Sequence, residues 1–421
     1  MEKIIYHVDV NSAFLSWEAS YRMNILGEAL DLRKVPSVIG GDEASRHGIV
    51  LAKSIPSKRY GIKTGEPLVS VRQKCPGIII VPPNYPMYVE ASRALMKLLS
   101  EYSSDIHQYS IDESFCDMTG TAKLFGSPVA AAEMIKERIK NELGFTVNIG
   151  ISTNKLLAKM ASDFEKPDKV HTLFPNEIAD KMWPLPVEDL FFVGHATQRK
   201  LHSYGIRTIG ELANCNPDWL RSIFKSHGLL IWQFANGIAD QMDKVTLSPI
   251  NKGYGNSVTV PWDICDTDTA HIVLLSLSET VAARIRADHA FVSVVSVSIV
   301  DFDFNYCGHQ MNLDSPTDIT RKIYESACDV FDALWDYTPI RQLGVHTAKA
   351  TTSSMYQYSL FDNYNIDKEI CLNKAVDEIR QIWGEDSIMR GRFVQSNKDG
   401  TFSHMAGGLD KARRTGMTKK V

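Results

Sequence analysis

Residues 3–18 read KIIYHVDVNSAFLSWE. Positions 3–10 have the make-up of a buried strand that ends in an acid, Asp9, and a helix-like stretch from about Ala13 to Leu26 follows. A second acidic element, YSIDESFCDM at 109–118, carries Asp112 and Glu113 between strand-like residues. Adjacent side chains of one continuous strand point to opposite faces. Both acids can therefore serve one site only if the pair lies at the bend between two strands, next to the end of the first.

Around these two segments the pattern alternates. A stretch at 86–103 has apolar residues at helical spacing, then come a helix at 128–143, a strand at 145–151 and a helix opening near Ser152 or Thr153. This implies an α+β sheet with helices on one face. Residues 28–75 are Gly- and Pro-punctuated, with nine basic against five acidic residues, and read as a small appended subdomain. Past Lys166-Pro167 the chain turns helical, at 176–183, 196–204, 208–214, 217–224 and 228–236. Near Pro249 it turns again. A strand (about 252–260), helix (267–290), two strands (291–303 and 306–313), helix (316–336) and strand (340–350) give the β-α-β-β-α-β order of a ferredoxin-like unit with its own core. A short motif, a helix at about 366–383 and a polar tail from about Ser396, expected to be disordered, follow.

At 421 residues the chain has room for several domains. Hydrophobic content of 44% and charged content of 23% are ordinary globular values. The net charge of −4 means that a nucleic-acid partner must be met by a local positive surface. Seven scattered cysteines without a C-x-x-C pair point to a reducing compartment, away from disulfides or zinc. The first residues lack the layout of a signal peptide, and the most apolar run, Phe291 to Val300, is too short for a bilayer. A soluble, cytoplasmic protein is expected.

Phosphoryl transfer to a sugar hydroxyl needs a more acidic nucleophile and a neutralised leaving oxygen, and two magnesium ions about 3.5–4 Å apart supply both. Magnesium takes oxygen ligands and keeps waters or substrate phosphates, so a few carboxylates on rigid strands suffice. Asp9, Asp112 and Glu113 suit that chemistry, although an Asp-Glu dipeptide is also an ordinary solvated turn.

Three motifs carry a resemblance. HVDVNSAFLSWE (7–18), SIDES (110–114) and GISTNKLLAKMASDFEKPD (150–168), in this order and spacing, resemble Y-family DNA polymerases of the bacterial DinB/UmuC type over roughly residues 4–350. The resemblance implies an error-tolerant, translesion DNA polymerase built as a right hand. Its palm would be 1–27 and 76–166, its small fingers 28–75, its helical thumb 167–245 and its little finger 246–350, with a clamp motif and tail over 351–421. It implies that Asp9, Asp112 and Glu113 are catalytic and hold two Mg2+ ions, with the Val10 carbonyl assisting.

By the same likeness Ala13 and Phe14 border the incoming nucleotide, Phe14 as a steric gate whose ring collides with a 2′-hydroxyl. The segment LAKSIPSKRYGIKTG (51–65) brings Ser54 and Lys58 to the triphosphate and Lys166 reaches it from the other side, fixed cations where charge grows in the transition state. Two positions depart. Ile55 stands where many members carry tyrosine and Lys58 where many carry arginine, so a hydrogen bond and a forked contact are lost. Asn11 replaces an acid common in the DinB branch and leans toward the UmuC branch.

FFVGHATQRKLHSYGIRTIGELA (191–213) looks like a helix–hairpin–helix, whose Gly-rich turn presents N–H groups to DNA phosphates. Gly194 is present, with Phe192 in the other glycine place. In the little finger, Lys252 of KGYGNSVT (252–259) and the strand bearing Arg341, His346 and Lys349 are phosphate contacts by expectation. Gln357-Tyr358-Ser359-Leu360-Phe361 resembles the sliding-clamp peptide of bacterial polymerases, with Gln357, Leu360 and Phe361 as anchors. Implied partners are primer-template DNA, dNTPs and the clamp, for a monomer at the nucleoid.

Two rivals compete. Gly40-Gly41-Asp42-Glu43 matches the core of the diguanylate cyclase signature, but Ala44 follows it where an aromatic is usual, and it lies in the small basic zone. A non-enzymatic DNA scaffold is the other. Against it, the three carboxylates and both phosphate-side lysines are present.

Overall fold

A computed structural model describes residues 3–43, 46, 48–239, 251–352, 365–384 and 387–395. The described parts of 1–40 and 50–246 form one compact unit, and those of 41–49 and 247–415 a second.

The first unit opens with β1 (Ile5–Val10), buried at all six positions. The chain then leaves to make a separate three-stranded sheet from β2 (Ser37–Gly40), β3 (Val50–Lys53) and β4 (Ile79–Val81), in the order β3-β2-β4. It returns with β5 (Ile106–Gln108), β6 (Glu113–Asp117), β7 (Val147–Ser152) and β8 (Val170–Thr172). These join β1 in a five-stranded sheet ordered β5-β6-β1-β7-β8. The centre is antiparallel, β1 pairing with β6 on one side and β7 on the other, while β8 runs parallel to β7.

The Lys155–Ser162 helix is buried at every residue and packs across β7 and β1. It crosses β7 at Gly150, where no side chain stands between strand and helix. The sequence pattern led to helices on one face, but adjacent β1 residues meet helices on opposite faces, Tyr6 at Pro128 and His7 at Ser162. This cover on both faces explains the fully buried runs of β1 and β7. β5 and β6 form a hairpin, and Asp112-Glu113 falls where its turn gives way to β6, the bend that the strand-face argument required.

β4 pairs with β2, so the small sheet runs beyond residue 75, where composition alone placed its end. A three-residue apolar strand reads equally well as part of either sheet, and only its partner decides. Gly40 ends β2 in this small sheet, so the GGDE tetrapeptide has no place in the five-stranded one.

Helices His195–Ser203, Ile209–Ala213, Pro217–Phe224 and Ser226–Ala235 follow, around Leu201, Ile209, Leu212, Leu220, Ile231 and Phe234. The helix expected at 176–183 is instead a 3-10 turn, Pro175–Glu177, running into a π turn, Ile178–Met182.

The second unit contains β9 (Gly255–Ile264), the Thr267–Ala287 helix, β10 (Val292–Asp301), β11 (Tyr306–Thr317), the Thr320–Leu334 helix and β12 (Ile340–Ala348). That is the β-α-β-β-α-β order, in an antiparallel sheet ordered β11-β10-β12-β9. Each helix links two strands that have a third between them.

The Ile366–Trp383 helix, at the bounds read from the sequence, is fastened to this unit by ion pairs. Arg286 meets Asp377 at 2.5 Å, and Arg380 and Arg390 meet the buried carboxylate of Glu279 at 3.1 and 2.6 Å. Gln357, Leu360 and Phe361, and the tail from Ser396, lie outside the described residues. Among the described residues no helix is long and apolar enough to cross a membrane.

Candidate active site

The acids gather at one end of the β1–β6 ladder. Asp9 is the register partner of Glu113, and the Val10 N–H donates to the Asp112 carbonyl at 3.1 Å. Ser110 fixes the turn that presents the pair. Its hydroxyl donates to Asp112 Oδ1 at 2.6 Å and accepts from the Glu113 N–H at 3.1 Å. The first serine of SIDES is thus a positioning residue that the sequence reading did not single out.

Two lysines reach these acids. Lys159 Nζ lies 2.9 Å from Glu113 Oε1, and Lys166 Nζ pairs with Asp9 and, at 2.7 Å, with Asp163. Lys159 also lies 5.6 Å from the ring centre of Tyr109 and 5.3 Å from that of Phe191, cation–π distances.

The environments split the two carboxyls. Burial drives the Asp9 pKa above the ordinary aspartate value, more than Lys166 draws it down. Burial acts on Glu113 in the same direction, but His7 and then Lys159, by hydrogen bonding and charge, outweigh it and hold that carboxyl at about 2. Burial would weaken the charge on Lys166, yet Asp9 and Asp163 raise its pKa.

Among the described residues no three His, Cys, Asp or Glu side chains close into a metal cage, since Asp9 and Glu113 are turned to lysines. The donor set still fits a hard cation. It offers carboxylate oxygens at one strand end, and a buried Asp9 carboxylate is the kind of charge that a divalent ion stabilises.

Phe14 lies beside this strand end, stacked on Tyr88 (4.6 Å, 10°) and edge-on to Tyr85 (6.0 Å, 87°). Ala13 is buried as the first residue of the Ala13–Asn24 helix. Ser54 departs from its expected part. It is buried, with its hydroxyl donating to the Val35 carbonyl at 2.8 Å and accepting from the N–H groups of Ser37 and Ser57, so it caps the Ile55–Lys58 helix and has nothing left for a phosphate. Lys58 and Ile55 are exposed.

Asn11 gives its side-chain amide to Thr146 Oγ1 at 3.2 Å, a strand-end bond that accounts for an amide here without reference to branch. Gly194 begins the His195–Ser203 helix with open space on its side-chain face. Phe192 is half exposed and keeps the left-handed backbone of the glycine it replaces (φ +73°). In the second unit Lys252 and Lys349 lie on adjacent segments, the Ala350 N–H donating to the Lys252 carbonyl at 3.1 Å, with Arg341 toward the other end of β12. Arg341, near the start of β12, stacks 4.8 Å over Phe304, whereas Lys349, just past its end, donates to Asn312 at 3.1 Å. Lys252 is exposed ahead of β9, and His346 is half buried beside Ser298.

The sequence reading passed over Lys159 and His7, which face Glu113, and Ser162, which meets both of them. The available signal was two lysines and a serine in an otherwise apolar helix, KLLAKMAS.

Comparison with known proteins gives a consistent picture. Residues 8–163 match the family described as impB/mucB/samB, residues 251–360 match its C-terminal domain, and residues 175–206 match the IMS family HHH motif. The chain is 47% identical over 398 residues to DNA polymerase IV of Clostridium acetobutylicum, covering 94% of this chain and 100% of that protein. It is 35% identical over 398 residues to DNA polymerase IV 2 of Bacillus subtilis, covering 92% and 94%. The solved Y-family DNA polymerase chimera Dbh-Dpo4(243-245)-Dbh superimposes with a TM-score of 0.68 at 21% identity, over 83% of this chain and all of that one. An insertion ternary complex of Dbh DNA polymerase gives 0.55 at 21%, again over 83% of this chain and all of that one.

Proposed function

The chain belongs to the impB/mucB/samB family, the Y-family DNA polymerases of DNA polymerase IV (DinB) type, and from that membership and the geometry at the end of β1 we propose that Asp9, Asp112 and Glu113 hold its metals. It is a DNA-directed DNA polymerase of the translesion kind, right-handed in fold, and it requires a divalent metal. The relatives compared are named DNA polymerase IV, which places the chain with the DinB type and not toward the UmuC side, as Asn11 had suggested.

The register of Asp9 against Glu113, with Asp112 tied to Val10, carries the residue assignment. Asp9, Asp112 and Glu113 would hold two magnesium ions there, which would supply a more acidic primer hydroxyl and charge neutralisation at the leaving phosphate oxygen. Lys166, already charged beside Asp9, and Lys58, on the exposed end of its short helix, receive the triphosphate. Phe14, held flat against Tyr88, excludes a 2′-hydroxyl. The turn at Gly194, the exposed Lys252 and Lys349 and the half-buried Arg341 hold DNA phosphates. Residues 357–361 tether a monomeric enzyme to the sliding clamp, in the cytoplasm at the nucleoid.

The deciding experiment is primer extension with purified protein, magnesium, primer-template and four dNTPs. Wild type extends, and Asp112→Ala loses extension while still binding DNA. Wild-type extension by Asp112→Ala would remove the assignment. For the clamp, Leu360→Ala/Phe361→Ala is expected to lose retention in a clamp pull-down, and equal retention refutes that contact.

A further inference from the structure

His7 is fully buried on β1, two residues before Asp9 and therefore on the same face of the strand. Its Nδ1 lies 2.7 Å from Ser162 Oγ, and its Nε2 has no hydrogen-bond partner and points to Glu113 Oε2 from 3.8 Å. Lys159 holds the other oxygen of that carboxylate, and Ser162 Oγ lies 2.8 Å from the Lys159 carbonyl. Both side chains that address Glu113 are thus tied to one turn of the Lys155–Ser162 helix. A buried imidazole nitrogen without a partner is costly and calls for a reason.

The Ser162 hydroxyl has one proton and two acceptors within reach. Turned to the Lys159 carbonyl, it accepts from Nδ1–H and leaves a bare Nε2 facing the carboxylate. Turned to Nδ1, it places the ring proton on Nε2, aimed at Glu113. A carboxylate shift of about 1 Å then closes a normal hydrogen bond.

We propose that Ser162 and His7 act as a positioning pair for Glu113: the serine hydroxyl selects the imidazole tautomer that donates to Glu113 Oε2, and with Lys159 on Oε1 this orients the carboxylate toward a divalent cation. The inference rests on the assignment of Glu113 as a metal ligand. Supports behind metal ligands typically govern affinity by about 10–100-fold. The ring also packs against Phe115 (4.7 Å between centres), so a purely structural role is the alternative that the test must separate.

The probe is Mn2+, its binding read by electron paramagnetic resonance on the full-length protein with a dideoxy-terminated primer-template and the next dNTP. His7→Phe keeps the ring volume without a donor, and it is expected to bind Mn2+ at least about tenfold more weakly. His7→Gln, which can place an amide N–H near the Nε2 position, should recover most of the affinity. Ser162→Ala should weaken binding with an unchanged melting temperature.

Wild-type Mn2+ affinity in both His7→Phe and Ser162→Ala overturns the proposal. So does equal loss in His7→Phe and His7→Gln with none in Ser162→Ala, which marks packing alone. If His7→Phe does not fold, Ser162→Ala decides by itself, because it removes a single oxygen. Asp112→Ala separates the underlying reading: if it too leaves Mn2+ binding unchanged, the metal assignment fails; if it abolishes binding while the His7 and Ser162 variants do not, only the positioning pair fails.

Discussion

A β-carbon added at Gly150 would stand 1.9 Å from the carbonyl oxygen of Ala158. The helix that carries Lys159 and Ser162 reaches β1 only because residue 150 has no side chain. Gly150→Ala must push that helix away, and overpacking of this kind costs about 1–3 kcal/mol, occasionally more. The expected result is a lower denaturant midpoint together with reduced primer extension, because Lys159 and Ser162 move with the helix. A variant with wild-type stability and activity would show that the contact yields freely.

Phe14 is held by three aromatic neighbours, stacked on Tyr88 and flanked by Tyr85 and Trp17. A ring so fixed cannot swing aside for a 2′-hydroxyl. Phe14→Ala is expected to reduce the preference for dNTP over rNTP in primer extension by about 10–100-fold. Unchanged sugar discrimination would take the gate away from this residue.

Phe192 combines a left-handed backbone with useful packing, its ring 4.6 Å from Phe191 and 5.7 Å from Phe234. Alanine there loses the packing and keeps the strain, whereas glycine loses the packing and relieves the strain. Phe192→Gly should therefore be more stable than Phe192→Ala by about 1 kcal/mol in denaturant unfolding. The reverse order would mean that the left-handed conformation carries no penalty here.

Glu113 supplies a pH dependence. Its folded-state carboxyl is held near 2, against about 4.3 when exposed to water. A lowered carboxyl pKa gives stability that is present above about pH 4.3 and is lost as pH falls through the folded value. Without added magnesium, Glu113→Gln should flatten the stability profile between about pH 4.5 and 2.5, by roughly 1–3 kcal/mol. Parallel profiles for wild type and variant would remove Glu113 from the acid transition.

Much of this molecule is local and could be read as such. Periodicity and an acid at the strand end located β1 and Asp9, the alternation rule placed Asp112-Glu113 at a bend, and spacing set the helix–strand order of the second unit. The Ile366–Trp383 helix was legible to the residue. These features depend on neighbours a few positions apart, where backbone geometry leaves few choices.

What only the tertiary structure decided is which distant groups meet. Lys159 and Glu113 are 46 positions apart, and Lys166 and Asp9 are 157 apart. No periodicity couples such pairs, so the sequence could bring Lys166 near phosphates without showing that it answers Asp9, and it gave no sign that Lys159 answers Glu113. Ser54 looked like a free hydroxyl in a basic loop until folding buried it as a cap, and β4 took its sheet only from its partner. The trio at the end of β1 was written in the chain, but the support around Glu113 exists because a glycine lets one helix lie close against two strands.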